Sequence, residues 1–399
     1  MDDTANRGPL DGVKVLDLSR FIAGPLCCQI LGDMGAEVVK IERPGGEDSR
    51  KHEPFYRGES VYTMLYNRNK HGATLDTRHP EAIELLEELV RRSDVVVENY
   101  RPGTMAAMGL SYERLRELKP DVILVSISGF GQTGPLAGRA LFDAIAQAAS
   151  GLMSMTGEPD GQPTLTGTYI ADYIAAYHGA MGALLALLHR AATGEGQHVD
   201  IASLDALFST LGTAPSASAM LGITTERTGS RDRFTGPANV FEANDGFVYI
   251  HAGTDPLFPR MCRVIGRPEL AEDPRYSGVP QRMAHVGELE DLIREWAAAR
   301  SSDQIADELT AAGIPFGKVS SVEEVMSSPQ IAAREMMLDV EHPELGPLRL
   351  PGIPIKLSGS PGTVRKAPPT VGEDNDYVYG TLLGRSPEQI QRMKEEGVI

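Results

Sequence analysis

Short apolar runs alternate with helical patterns through the first 150 residues, and this alternation limits the possible folds strongly. Val13–Leu18 predicts a buried strand, Pro25–Met34 a helix with its proline in the first turn, and Glu37–Glu42 the next strand. A strand, a helix and a strand in that order form the unit of parallel sheets. The unit recurs, with strands predicted at Val95–Glu98 and Val122–Ser128 and helices at Glu81–Arg92, Tyr112–Leu118 and Leu141–Ser150. The N-terminal part is therefore predicted to be α/β, an open, doubly wound, Rossmann-like parallel sheet.

The second half of the chain has a different texture. Asn239–Ala252 predicts a hairpin around an Asn-Asp-Gly turn, and three helical patterns follow it. We predict a large α/β domain over 1–214, a linker over 215–236 and a smaller α+β domain over 237–334. The Pro- and Gly-rich segment 335–399 is expected to link back to the large domain and end in a helix.

Composition excludes several classes of protein. The net charge of −17 argues against a nucleic-acid partner. Cys27, Cys28 and Cys262 have neither metal nor disulfide spacing, which fits a reducing, cytoplasmic location and no metal site. The N-terminal MDDTANRGPLDG is polar and acidic, so we expect no signal peptide. The apolar run Tyr173–Leu188 is short for a membrane span and predicts a buried core helix without a membrane partner.

Asp172 carries the single formal charge between Thr164 and Leu188. A carboxylate at the edge of an apolar helix is costly unless something uses it, and aspartate favours the first turn of a helix. We expect Asp172 at a helix start, facing a space that other segments build. The alternative hypothesis is an N-cap that serves only the backbone.

The loops after the predicted parallel strands carry polar residues where open sheets bind ligands. Glu42 ends the second strand at the place of a ribose contact in dinucleotide folds, but the first turn has only Gly24, so a nicotinamide site is disfavoured. Lys40 and Arg43 flank this glutamate and favour phosphate, although solvated strand-end charges are the alternative.

Five segments, taken in order, resemble the family III CoA-transferases, the group of formyl-CoA transferase and carnitine CoA-transferase, to which α-methylacyl-CoA racemases are related. The resemblance covers nearly the whole chain. The segments are PLDGVKVLDLSRFIAGPLCCQILGDMGAEVVKIERPGGED, YNRNKHGATLD, VVVENYRPGTMAAMGL, SISGFGQTGPL and TGTYIADYIAAYHGAMGALLALLHRAATGEGQHVDIA.

The resemblance implies a substrate site and an assembly. It implies that the catalytic aspartate is Asp172, and that coenzyme A or acyl-CoA is a substrate, with no tightly bound cofactor. It also implies an interlocked homodimer, with a carboxylic acid as the second substrate. The residues near the adenine and phosphates of CoA would be Phe21, Ile22, Ala23, Arg43, Leu75, Asn99 and Tyr100.

The chemistry implied for such an enzyme passes through the aspartate. The carboxylate attacks the thioester and forms a mixed anhydride, CoA thiolate then gives an aspartyl-CoA thioester, and the acceptor acid reverses these steps. We expect Asp172 to stay ionised near the reference pKa of about 3.9, with backbone N–H groups of the helix start stabilising negative charge.

Two alternatives remain open at this point. A racemase of this group would need a histidine where Phe142 stands, and a glutamate near Asp255, so proton transfer is disfavoured. A non-catalytic CoA-binding protein would tolerate loss of Asp172. The segment 229–236 replaces the glycine-rich loop of formyl-CoA transferase, and its Arg231 and Arg233 are predicted either to hold an acceptor carboxylate or to be solvated linker charges.

Overall fold

The computed structural model describes residues 8–399. We expected no signal peptide from the N-terminal segment MDDTANRGPLDG, and part of that segment lies outside the described residues. The chain forms two compact units. Among the described residues, the first comprises 8–152, 166–215 and 330–399, and the second comprises Met153–Leu165 and Ser216–Pro329. Residues 153–165, predicted as part of the large domain, thus group with the second unit.

A parallel sheet is the centre of the first unit. Its strands, together with a small hairpin, are β1 (Lys14–Asp17), β2 (Glu37–Glu42), β3 (Phe55–Tyr56), β4 (Glu59–Ser60), β5 (Lys70–Thr74), β6 (Val95–Glu98), β7 (Ile123–Ser128) and β8 (His198–Ala202). The sheet order is β5-β2-β1-β6-β7-β8, and every neighbouring pair is parallel. The predicted α/β class is therefore confirmed. The order of the strands reverses between β1 and β6, which places a crevice at their carboxyl ends.

Helices cover both faces of this sheet. They are α1 (Ala23–Asp33), α2 (Val61–Leu65), α3 (Ala82–Arg92), α4 (Thr104–Ala107), α5 (Tyr112–Leu118), α6 (Asp143–Ser150), α7 (Ile170–Thr193) and α8 (Ser203–Phe208). Because side chains alternate along a strand, Val15 packs on the face that α1 and α7 cover, while Leu16 packs with α3 on the other. Cys27 and Cys28 are buried in α1, as small core residues.

Helix α7 has one buried and one exposed face. Gly179 lets it approach the sheet, because a Cβ there would lie 2.7 Å from Cδ1 of Ile127. The helix is longer than the predicted apolar run, and by length and composition alone it could cross a membrane. Only 39% of its apolar window is buried, so the predicted core helix is buried on one side only. The exposed apolar side chains are Tyr177, Met181, Leu184, Leu185 and Leu188.

The second unit is built around a three-stranded antiparallel sheet. Its strands are β9 (Ala238–Ala243), β10 (Gly246–His251) and β11 (Phe316–Lys318), in the order β11-β10-β9. The predicted hairpin is β9–β10. Helix α9 (Ala214–Leu221) leads in from the first unit, so the predicted linker is partly helical. The remaining helices are α10 (Phe258–Val264), α11 (Val279–Ala284), α12 (Val286–Ala298), α13 (Ser302–Ala312) and α14 (Val322–Met326).

The last seventy residues return to the first unit. They contain all but the first residue of α15 (Pro329–Ala333), and then β12 (Met337–His342), β13 (Gly346–Pro351), a π-helix (Asp376–Leu382) and α16 (Pro387–Glu395). Strand β5 is the edge of the large sheet, and this segment covers it. The Asp374 carboxylate accepts the Gly72 N–H and the Asn375 side-chain oxygen accepts the Thr74 N–H, both at 2.8 Å. Side chains therefore satisfy backbone donors that an edge strand would leave open.

Candidate active site

The loops that follow β1 and β6 meet in a cavity at the point where the strand order reverses. Residues 20–23 and 99–102 line it, and Asp172 from α7 lines it as well. The volume is about 260 Å³. Phe21, Ile22, Ala23, Asn99, Tyr100 and Asp172, predicted as site residues, thus come together in one cavity.

The loop after β1 is braced by side chains. The Asn99 side-chain oxygen accepts the Arg20 N–H at 2.8 Å, and its side-chain nitrogen donates to the Arg20 carbonyl at 2.7 Å. The turn into α1 is tight, because a Cβ at Gly24 would lie 2.2 Å from Cβ of Ser19. The Asn99 side chain therefore fixes the cavity wall, besides lining it.

Asp172 lies in the first turn of α7, as predicted, but it does not cap the helix. The N-cap residue is Tyr169, which makes no side-chain cap bond. The N–H groups at the helix start are instead accepted by a second carboxylate, since Oδ1 of Asp143 lies 2.7 Å from the Ala171 nitrogen and 3.4 Å from the Asp172 nitrogen. The capping hypothesis for Asp172 is wrong.

The surroundings of Asp172 favour its neutral form. Burial and, after it, the negative charge of Asp143 together raise its pKa to about 7. Among residues 8–399, no hydrogen-bond donor or cation pairs with the Asp172 carboxylate. The expectation of an ordinary pKa near 3.9 is therefore wrong, because Asp143 takes the backbone N–H groups that were expected to stabilise the charge.

Sequence reasoning assigned no role to Asp143 or Gln147. Nε2 of Gln147 donates to Oδ2 of Asp143 at 2.6 Å, and its Oε1 accepts the Thr166 N–H at 3.0 Å. This pair joins the start of α7 to α6 and to the segment before α7. The sequence signal was available as an Asp and a Gln four residues apart on one helical face.

A second cavity of about 340 Å³ holds the other two predicted residues, Arg43 and Leu75. Arg20 and Tyr100 line both cavities, with the Arg20 guanidinium 5.3 Å from the centre of the Tyr100 ring. Arg43 donates to the Gly46 carbonyl at 2.9 Å and pairs with the exposed carboxylate of Asp48. All eight predicted site residues therefore line these two cavities.

Lys40 does not face either cavity, so its predicted phosphate contact is wrong. Its side chain is fully buried, and Nζ donates to the Ser19 carbonyl at 2.8 Å and lies 3.1 Å from Oε1 of Glu47. Alternation along β2 turns Lys40 into the protein.

Three arginines line the first cavity without a carboxylate partner among the described residues: Arg20, Arg101 and Arg139. In a chain of net charge −17, unpaired guanidinium groups around a cavity favour an anionic ligand. No group of three or more His, Cys, Asp or Glu side chains within 8–399 is arranged to hold a metal ion.

The second unit holds the other residues that the sequence singled out. Arg231 binds both carboxylate oxygens of the buried Glu290, at 2.9 and 2.5 Å. Arg233 donates to the backbone oxygens of Glu226 and Met155. Both guanidinium groups therefore brace this unit, which neither hypothesis about them foresaw. Asp255 is mostly exposed and accepts a 2.6 Å bond from Arg282.

Comparison with known proteins gives a consistent result. The sequence model of CoA-transferase family III matches residues 10–375. The chain is similar to the succinyl-CoA–D-citramalate CoA-transferase of Chloroflexus aurantiacus, at 37% identity over 98% of both proteins. It is 35% identical to the succinyl-CoA–L-malate CoA-transferase beta subunit of that organism, over the full length of both. The crystal structure of a CAIB/BAIF family protein from Brucella suis matches with a TM-score of 0.86 and 34% identity, covering 94% of this chain and 100% of that one.

Proposed function

The chain belongs to CoA-transferase family III, and we propose that Asp172 is the nucleophile through which it moves CoA from an acyl-CoA to a carboxylic acid. One observation carries this proposal: an unpaired carboxylate with a pKa of about 7 lines a cavity together with the residues expected to contact CoA. The sheet beneath it has the strand order of a Rossmann-like fold, which binds ligands at this end.

The proposed reaction uses Asp172 twice. An oxygen of the Asp172 carboxylate attacks the thioester carbonyl, the C–S bond breaks, and CoA thiolate leaves behind a mixed anhydride. The thiolate then attacks the Asp172 carbonyl and releases the donor acid, which gives an aspartyl-CoA thioester. The acceptor carboxylate repeats these steps in reverse. A poorly solvated carboxylate that is about half ionised near pH 7 suits this role, because water does not mask its charge.

The start of α1 supports the binding part of the proposal. Ile22 and Ala23 line the cavity, and the N-terminus of a helix favours negative charge such as a phosphate or a developing oxyanion. The N–H groups of α7 are engaged by Asp143 and are not assigned this task.

The test is to trap the intermediate. Wild type and Asp172→Asn are incubated with an acyl-CoA and hydroxylamine, and the protein is examined by mass spectrometry for an aspartyl hydroxamate. The wild type should give the adduct on Asp172 and the variant should give none. CoA exchange at the wild-type rate in the variant would refute the role of Asp172, and solvent deuterium at the acyl α-carbon without CoA exchange would favour racemisation.

We also propose that donor and acceptor are dicarboxylic acids. The two relatives named above carry succinyl-CoA together with citramalate or malate in their names. The unpaired Arg139 supports dicarboxylic substrates for this chain, because a guanidinium can bind the second carboxylate of such an acid. Arg139→Gln should raise KM for succinyl-CoA about tenfold and leave KM for butyryl-CoA unchanged. Equal rises for both donors would assign Arg139 to the CoA phosphates instead. Arg116→Gln, at an exposed position away from the cavities, is the control.

A homodimer without a membrane partner is proposed from the exposed face of α7. Large apolar side chains in a row, such as Leu185 and Leu188, usually mark an interface. Sedimentation should give a dimer of the purified chain, and Leu185→Glu with Leu188→Glu should weaken it. A monomer that dimerises only with a different chain would instead match the subunit naming of one relative.

The three buried free cysteines support a reducing, cytoplasmic location, which cell fractionation tests.

A further inference from the structure

Phe21 has a backbone conformation that its residue type disfavours. Its φ is +64°, in the left-handed region that side chains with a Cβ avoid. The residue lies in the loop from β1 to α1 and lines the cavity beside Asp172. Such a conformation persists only where surrounding contacts hold it, and these positions concentrate at functional sites.

A buried ion pair holds this loop. The Phe21 N–H donates to Oε2 of Glu47 at 2.9 Å, while Oε1 of Glu47 lies 3.1 Å from Nζ of Lys40. The same Nζ donates to the Ser19 carbonyl at 2.8 Å. The Lys40 and Glu47 side chains are 0% and 2% exposed, so water does not compete for these bonds. The Lys40–Glu47 ion pair therefore binds both ends of the Ser19–Phe21 turn, through the Ser19 carbonyl and the Phe21 N–H.

The ammonium group belongs to a larger buried set of charges. Burial alone would raise the pKa of Asp17, but Lys40 and Lys70 outweigh it and lower that pKa to about 2. The Asp17 carboxylate in turn accepts the Ser19 N–H at 2.9 Å. The charge of Asp17 in turn raises the pKa of Lys40 against the effect of burial, so the ammonium group that holds the Ser19 carbonyl stays protonated.

We propose that Glu47 is a positioning residue for acyl-CoA binding, which it serves by holding Phe21 in the left-handed conformation. This inference rests on the proposed function, in which the cavity binds acyl-CoA. Glu47 sets the position of the cavity wall before the ligand arrives, so its loss weakens binding of CoA. It takes no part in the chemistry at Asp172.

The identity of the side chain matters for this role. A glutamine at 47 has one acceptor oxygen, which the charged Lys40 ammonium attracts more strongly than the Phe21 N–H does, so the amide nitrogen would face Phe21 and could not accept its N–H. An aspartate keeps the charge opposite Lys40 but is one carbon shorter, so it does not reach both groups. Both variants should therefore release Phe21.

The experiment compares Glu47→Gln in two backgrounds, Phe21→Ala and Phe21→Gly. Both backgrounds remove the ring, but the left-handed conformation stays unfavourable only for alanine, because glycine adopts it freely. We measure KM for acyl-CoA, the Kd of free CoA by calorimetry, and kcat. Glu47→Gln should raise KM and Kd about tenfold in the alanine background and less than about threefold in the glycine background, with little change in kcat.

Controls separate this role from general stabilisation. Glu59→Gln removes a carboxylate that pairs with Arg50 in the same region but does not touch the turn, and should leave Kd unchanged. If Glu47→Gln does not fold, Glu47→Asp replaces it with the same expected dependence on residue 21.

Equal effects in the alanine and glycine backgrounds would overturn the inference, since Glu47 would then not act through the backbone of residue 21. Wild-type protein that binds no CoA would overturn the proposed function as well. Wild type that binds CoA, with Glu47 variants that bind it equally well, would overturn this inference alone.

Discussion

Raising the pH should lower the free energy of unfolding of this protein, because one carboxylate, Asp172, ionises. Its pKa in the folded chain is about 7, compared with 3.8 for an unperturbed aspartate. A difference of about three units corresponds to about 4 kcal/mol, at about 1.36 kcal/mol per unit. Because the folded protein holds this proton more tightly than the unfolded chain, the stability is fully present below pH 3.8 and is lost as the pH rises to about 7.

Urea unfolding of the wild type and of Asp172→Asn measures this loss directly. Asparagine does not ionise, so the free energy of unfolding of the variant should increase relative to the wild type by about 3 kcal/mol from pH 4.5 to pH 8. All other titrating groups are shared and cancel in the difference. Asp160→Asn, at an exposed position, controls for the loss of one charge.

A difference between wild type and Asp172→Asn that stays constant within about 0.5 kcal/mol over this range would refute the argument. It would mean that water or another donor solvates Asp172 in the folded state. The kcat/KM of the wild type offers a second readout, since it should rise with pH through about 7 as the nucleophile ionises.

Variants at Asp143, Gly24 and Tyr379 test other contacts of the first unit. Asp143→Asn removes the charge that adds to burial in raising the pKa of Asp172, so the pH–rate profile measured between pH 5 and 9 should move to lower pH. Gly24→Ala places a Cβ within 2.2 Å of Ser19 and should destabilise the fold by about 2 kcal/mol in urea unfolding, whereas an unchanged midpoint would show that the turn relaxes. Tyr379→Phe removes a 2.6 Å bond to a carbonyl of the sheet edge and should lower the free energy of unfolding by about 1 kcal/mol.

The sequence predicted β1, β2, β6 and β7 of the parallel sheet because their signals are local, whereas β5 was not predicted. The runs at β1 and β2 are apolar enough to predict strands without knowledge of the neighbouring strands. The observed bounds of these two strands differ from the predicted bounds by at most one residue at each end. The long helix α7 was predicted too short, because the apolar run ends before the helix does. The helix continues to Thr193, five residues beyond Leu188, and Gly194 at φ +78° ends it.

The residues predicted for the site line two cavities, but the expected electrostatics of Asp172 were wrong. The place of Asp172 in a first turn follows from local preference. Its raised pKa depends first on burial and then on the charge of Asp143, which lies 29 positions earlier and is brought close only by packing of α6 on α7. The predicted phosphate contact of Lys40 was wrong for a similar reason. The burial of a charged side chain depends on its partner, and Glu47 can be recognised as that partner only in three dimensions.

The bonds from Asp374 and Asn375 to strand β5 have a consequence for synthesis of the protein. They join positions about 300 residues apart, so the ribosome makes the edge of the first sheet long before it makes the groups that close it. A nascent or truncated chain would present the backbone N–H groups of Gly72 and Thr74 as a free strand edge, which invites pairing between chains. Premature termination near residue 370 should therefore yield aggregated protein instead of a soluble enzyme of reduced activity.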